Sequence, residues 1–77
     1  MNKKRRQDLK YVIEQIQDAV EYLADVISEE QDAFDNLPEG LQCSERGEVL
    51  EENVSEMEDV MSSLESAIDD LNNVIEK

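Results

Sequence analysis

Histidine and tryptophan are absent from this 77-residue chain, and cysteine, proline and glycine are scarce. Without histidine, imidazole chemistry and most zinc sites are excluded. The single cysteine, Cys43, permits no disulfide within the chain. No Ser/His/Asp set, Cys/His set or glycine-rich phosphate loop is present. The sequence therefore predicts a protein that is not an enzyme, with no cofactor and no dedicated metal site.

Long apolar runs are also missing. The basic start is similar to the positive region of a signal peptide, but the apolar runs after it, such as Tyr11–Ile13, are short. No stretch approaches the roughly 18 apolar residues that span a bilayer. We therefore expect a cytoplasmic protein that binds no membrane and keeps Cys43 reduced.

Cations are few and unevenly placed. Residues 1–10 carry five Lys and Arg residues against Asp8, for a net charge of +4. The remaining 67 residues carry twenty carboxylates against Arg46 and Lys77, for a net charge of −18. Such a body repels nucleic-acid backbones and attracts basic surfaces. The charge predicts a partner with a basic protein surface, such as a nucleic-acid-binding protein, and no direct binding of nucleic acid.

Apolar residues recur at alternating steps of four and three in both halves of the chain, which is the spacing of one helix face. The first line runs from Leu9 to Leu37 and the second from Leu50 to Ile75. This pattern predicts an all-α fold in one domain (1–77). Two helices, at about 6–35 and 45–76, form an antiparallel hairpin, with residues 1–5 as a flexible basic tail. In this hairpin, the sequence numbers of two residues that face each other across the helices sum to about 84.

A third apolar column flanks each line. These flanking residues are Val12, Ala19, Val26 and Ala33 in the first half and Val60, Ala67 and Val74 in the second. One partner helix covers about two columns, so an isolated hairpin leaves apolar surface in water. We expect a homodimer that forms a four-helix bundle. The alternative is a partner protein that supplies the missing helices.

Between the helices, Pro38 and Gly40 break the helical pattern. Asn36 is expected to cap a short turn, with Glu39 as its capping-box partner. Ser44 is expected to cap the second helix. Gly47, which is costly in a first helical turn, is expected to permit a close approach of the backbone.

Two polar residues, Glu30 and Asn53, interrupt the apolar stripes at the same level, since their numbers sum to 83. A contact between them would fix the register of the helices. The alternative is that the two polar residues make no contact and simply lie near a solvent-exposed end of the hairpin. Arg46 is expected to hold the corner closed through Asp35 and Glu30, with a binding role as the alternative.

The basic start lies near the end of the other helix in this register. We therefore expect local neutralisation of its cations by Asp69, Asp70 and Glu76, or a frayed, solvated tail. Binding of RNA through this start would have to overcome the charge of the body.

Carboxylates repeat at i, i+4 spacing along both helices, and such like-charged pairs weakly destabilise an isolated helix. One interpretation is a solvated face that keeps an apolar bundle soluble. The functional interpretation is an acidic rod that occupies a basic groove as a nucleic acid does. The carboxylates expected to bind are Asp18, Glu21, Asp25, Glu51, Glu52, Glu56, Asp59 and Glu65.

The corner Asp35–Glu48, DNLPEGLQCSERGE, resembles a motif of short acidic helical-hairpin proteins of bacterial phages and mobile elements. The rest of the chain is similar in pattern only: a basic start, an amphipathic helix, the corner and an acidic helix. Small acidic proteins of such origin are often inhibitors of host defence, and many act as DNA mimics. The resemblance thus implies an inhibitor that blocks a host DNA- or RNA-binding defence protein. The rival hypothesis is a structural oligomerisation module or helix-bundle scaffold that acts through its apolar flank.

Overall fold

A computed structural model describes all residues from Met1 to Lys77. The chain forms three α-helices and no strand: α1 (Lys3–Asp35), the one-turn α2 (Glu39–Gln42) and α3 (Glu45–Glu76). The long helices α1 and α3 pack along each other, and α2 lies at the corner against α3. The result is an all-α hairpin, a rod with principal dimensions of 59 × 15 × 12 Å.

Helix α1 begins at Lys3, three residues earlier than the apolar spacing predicted. Residues 3–5 of the predicted flexible tail are thus part of α1. Asn2 is the N-cap, and its Oδ1 accepts a hydrogen bond of 2.8 Å from the backbone N–H of Arg5. An N-cap asparagine satisfies an N–H group that the first turn leaves without a helical partner. Capping, rather than apolar periodicity, determines where this helix starts.

The corner uses Asn36 differently from the prediction. Asn36 is the C-cap of α1, where its backbone N–H donates to a carbonyl of the last turn. Pro38, at φ −56° and ψ 145°, is the N-cap residue of α2 and makes no side-chain capping bond. The expected capping box between Asn36 and Glu39 is therefore wrong, because Glu39 is the first residue of α2 rather than its third.

Helix α3 begins at Glu45, with Ser44 as its N-cap and the Ser44 Oγ accepting from the Gly47 N–H at 3.4 Å. Gly47 is buried. A Cβ atom there would lie 2.6 Å from the carbonyl carbon of Gln42 and closer still to its oxygen. Gly40, in contrast, has open space around its Cα. The end of α2 thus passes against the first turn of α3 where only glycine fits.

The hydrophobic core between the long helices is thin. Ile13 and Val54 are the only buried apolar residues, at 6% and 7% exposure. Most other residues of the two apolar lines are half-buried. On the flanks, Val12 and Val60 keep 42% and 51% of their surface exposed. Both long helices are amphipathic, and neither has the combination of length and apolar character that crossing a membrane requires.

Candidate functional site

A shallow groove with carboxylates along its rim follows one side of the seam between α1 and α3. Its lining residues are Gln17, Val20, Glu21, Glu65, Ile68 and Asp69. The antiparallel packing brings Glu21 of α1 next to Glu65 and Asp69 of α3, which are far away in sequence. All three carboxylates are exposed. We call this feature the acidic groove.

Further carboxylates extend the acidic groove along the rod. Residues seven apart lie on nearly the same side of a helix, so the columns that contain Glu21, Glu65 and Asp69 can be followed in the sequence. The additional carboxylates in these columns are Glu14, Asp35, Glu48, Glu51, Glu58 and Glu76. The adjacent outer columns add Asp18, Asp25, Asp32, Glu45, Glu52 and Asp59. We call this whole surface the acidic side.

The acidic side has no cationic partner within the chain. The one ion pair of the molecule joins Lys4 Nζ to Asp8 Oδ2 at 2.9 Å, at the start of α1. Among the carboxylates of the acidic side, Asp35 accepts a hydrogen bond of 3.0 Å from the Gln31 amide. The others are exposed and make no hydrogen bond to another side chain. Their charge is available to an external partner.

Seven of the eight carboxylates predicted to bind a partner lie on the acidic side, and Glu56 does not. Glu21 and Glu65 meet in the acidic groove, whereas Glu56 lines a second groove on the opposite side of the seam. The others are exposed and line neither groove: Asp18, Asp25, Glu51, Glu52 and Asp59. The prediction missed Asp69. The expected register could have indicated Asp69, because its residue number and that of Gln17 sum to 86, close to the sum of 84 expected for facing residues.

Glu30 and Asn53 are in contact near the corner. The Asn53 Nδ2 donates a hydrogen bond of 2.8 Å to the Glu30 Oε2, and both side chains are half-buried. The two interruptions of the apolar stripes therefore lie against each other. A half-buried carboxylate without a donor is costly. A shift of one turn between α1 and α3 would separate the pair, so this contact favours the observed register.

Arg46 does not close the corner. It is exposed and forms no ion pair with Asp35 or Glu30, both of which accept hydrogen bonds from side-chain amides instead. The Gln42 Nε2 donates to two backbone carbonyls near the end of α1, at 3.4 and 3.2 Å. Carbonyls at a helix end have no partner within the helix. The prediction of an Arg46 clamp is therefore wrong, and Gln42 ties the corner to α1.

The basic head, which we define as Lys3, Lys4, Arg5, Arg6 and Lys10, is not neutralised by α3. None of these cations forms an ion pair with Asp69, Asp70 or Glu76, so that expectation is also wrong. The Arg6 Nε is shielded from solvent and has no hydrogen-bond partner. The head lies at the N-terminal, positive end of the α1 dipole, where cations are unfavourable. It therefore remains a concentrated positive charge.

No three carboxylate or thiol side chains converge in the way that metal ligands do. Cys43 is exposed and free. Comparison of the chain with family models, with curated proteins and with solved structures gives no match. The candidate site is therefore defined by the acidic groove and the acidic side alone.

Proposed function

We propose that the chain is a non-enzymatic acidic protein-interaction module that covers the basic, nucleic-acid-binding surface of another protein. The observation that carries this proposal is the absence of any in-chain ion pair along the acidic side. A surface that served only for stability would gain from interspersed lysines, because opposite charges at i, i+4 stabilise a helix and like charges do not. The unpaired carboxylates favour an external basic partner.

The charge density of the rod supports mimicry of nucleic acid. Residues 11–77 carry a net charge of −18, and the rod is 59 Å long, which gives about one charge per 3 Å. One strand of DNA carries one charge per ~3.4 Å. At physiological salt the Debye length is ~8 Å, so several carboxylates act together on each basic residue of a partner. A groove built for a nucleic-acid strand would attract this rod for the same reason.

The likeness of the corner to proteins of phages and mobile elements extends the proposal. The partner would then be a host DNA- or RNA-binding defence protein, and the chain would be its inhibitor. Direct contact between the chain and nucleic acid forms no part of this mechanism, because the acidic body repels phosphate backbones.

A second function is favoured by a different observation. Val12 and Val60 on the apolar flanks are about half exposed. A helix-bundle scaffold that binds another helix through these flanks would use apolar burial rather than charge. Its binding would change little with salt, whereas binding through the acidic side would weaken as salt rises.

The test compares two variants with equal net charge. The groove variant combines Glu21→Gln, Glu65→Gln and Asp69→Asn. The control variant combines Asp8→Asn, Glu56→Gln and Asp70→Asn, which lie outside the acidic side. Each protein is immobilised and exposed to a bacterial extract at about 50 mM and about 200 mM salt. Captured proteins are identified by mass spectrometry and then tested for binding to labelled duplex DNA in the presence of free chain.

We expect the captured protein to be basic, to bind DNA, and to release that DNA when the free chain is added. The groove variant should bind this protein at least about tenfold more weakly than the control, because local rather than net charge determines the contact. Equal binding of the two variants would contradict the proposal, as would a captured protein that holds DNA and the chain at the same time. Capture that resists salt and is lost in Val60→Glu would favour the scaffold.

A further inference from the structure

The side of the seam opposite the acidic groove carries the apolar flanking residues. A groove on this side is lined by Val26, Met57 and Val60, together with the Glu30–Asn53 pair and Glu56. The flanking columns of the two helices therefore lie on the same side of the hairpin. We call this surface the apolar face, and its flanking residues include Val12, Ala19 and Val26 on α1 and Val60, Ala67 and Val74 on α3. The hairpin is thus acidic on one side and apolar on the other.

The size of the exposed surface indicates how much of the hairpin a partner would cover. A compact monomer of 8.8 kDa has an accessible surface of about 4,800 Å². The hairpin has 5787 Å², which is about 1,000 Å² more. A stable protein–protein interface buries ~800 Å² on each partner. A second hairpin packed on the apolar face would bury about as much surface as this excess.

The two ends of the rod carry opposite charge. The basic head contributes +4 within residues 1–10, with one in-chain ion pair. The corner end, residues 29–52, carries nine carboxylates against Arg46, for −8. The C-terminal segment beside the head, residues 69–77, carries three carboxylates against Lys77, for −2. The largest complementary charge for the head is therefore at the far end of its own rod, out of reach within one molecule.

We propose that a second copy of this chain covers the apolar face in the opposite direction, so that the head of each copy lies beside the corner end of the other. A two-fold axis near the midpoint of α1 relates the copies. This arrangement buries both apolar flanks in a four-helix bundle. It also brings +4 next to −8 at both ends, whereas a parallel arrangement would place two heads together and two corners together. The acidic sides stay outward, so the dimer does not depend on the proposed function.

The first experiment measures molar mass and dissociation by light scattering and analytical ultracentrifugation. Two variants form a matched pair: Ala19→Glu on the apolar face at the midpoint of α1, and Ala24→Glu on the side of the acidic groove. Both alanines are exposed in the single hairpin, so both variants should keep their helical circular dichroism. We expect the chain to have twice the 8.8 kDa monomer mass. Ala19→Glu should weaken dimerisation at least about tenfold, and Ala24→Glu by less than about threefold.

The second experiment determines the direction of the copies and requires no substitution. Cys43 is the only cysteine, is exposed, and lies at the corner. A spin label on Cys43 reports the distance between the two corners by pulsed electron paramagnetic resonance. Copies in opposite directions place the labels about 50 Å apart, near the 59 Å rod length. Parallel copies place them less than about 30 Å apart, the width of a four-helix bundle.

Four results would overturn the proposal. Two concern the molar mass: a monomer at about 100 µM, a concentration at which even a dimer of micromolar affinity is formed, or a mass above that of a dimer. The other two are a short distance between the labels and equal dimerisation of the two variants. A dimer with the long distance that weakens only in Ala19→Glu would support it. Failure of DNA competition by the chain would leave this result unaffected.

Discussion

Replacing Gly47 by alanine is the most informative change to the fold itself. Alanine normally stabilises a helix by about 1 kcal/mol relative to glycine. At Gly47, however, the added Cβ would lie 2.6 Å from the carbonyl carbon and 2.9 Å from the Cα of Gln42. Real Cβ atoms essentially never approach backbone atoms to below 3.0 Å, so α2 must move away from α3. Such overpacking costs about 1–3 kcal/mol. The expected net effect of Gly47→Ala is a loss of up to about 2 kcal/mol.

For a chain of this size, that loss lowers the melting temperature by up to about 16 °C. Thermal unfolding followed by circular dichroism measures it, at one fixed protein concentration because self-association would also shift the transition. Gly40→Ala is the matched control, since Gly40 has open space and lies in α2. There we expect a small gain of about 0.4–1 kcal/mol. If Gly47→Ala melts at or above the temperature of the unchanged protein, the close approach of α2 to α3 is refuted.

Two further predictions concern the contacts that hold the helices in register and close the corner. Asn53→Asp replaces the donor to Glu30 with a second carboxylate and should lower the free energy of unfolding by about 1–3 kcal/mol in urea denaturation. Asn73→Asp, the same change at an exposed position, should have little effect, and similar losses at both sites would argue against the pair. Gln42→Ala should cost about 1 kcal/mol by removing the hydrogen bonds to the Phe34 carbonyl of α1 and to the Leu37 carbonyl just beyond that helix. Gln42→Glu should cost more, because it places a negative charge at the negative end of α1, and a smaller cost than for alanine would contradict this role.

The two-helix pattern could be predicted because apolar spacing of four and three is a local property of each segment. The same spacing gave the pairing level of Glu30 and Asn53, and the structure has these residues in contact. The start of α1 was missed, since Asn2 and Lys4 act through capping and an i, i+4 ion pair rather than through apolar periodicity. The corner was partly missed because α2 is a single turn, too short to give a periodic signal.

The candidate site was less predictable than the fold. The strong negative charge is evident from composition, but the sequence does not indicate which carboxylates share a surface. Glu65 and Asp69 meet Glu21 only because α3 runs antiparallel to α1. The assignment of Arg46 failed because a carboxylate can be satisfied by an amide as well as by a cation, and Gln31 and Asn53 are the nearer donors.

The sequence alone therefore determined the two long helices, the reversal of direction at Pro38 and the separation of charge between the head and the rest of the chain. These are consequences of local propensity and composition, which do not depend on how distant segments of the chain pack together. Only the tertiary structure decided that the seam has an acidic groove on one side and an apolar face on the other, and that Gly47 lies against Gln42. Such features depend on the relative rotation and approach of two helices, which arise when side chains from distant segments pack together.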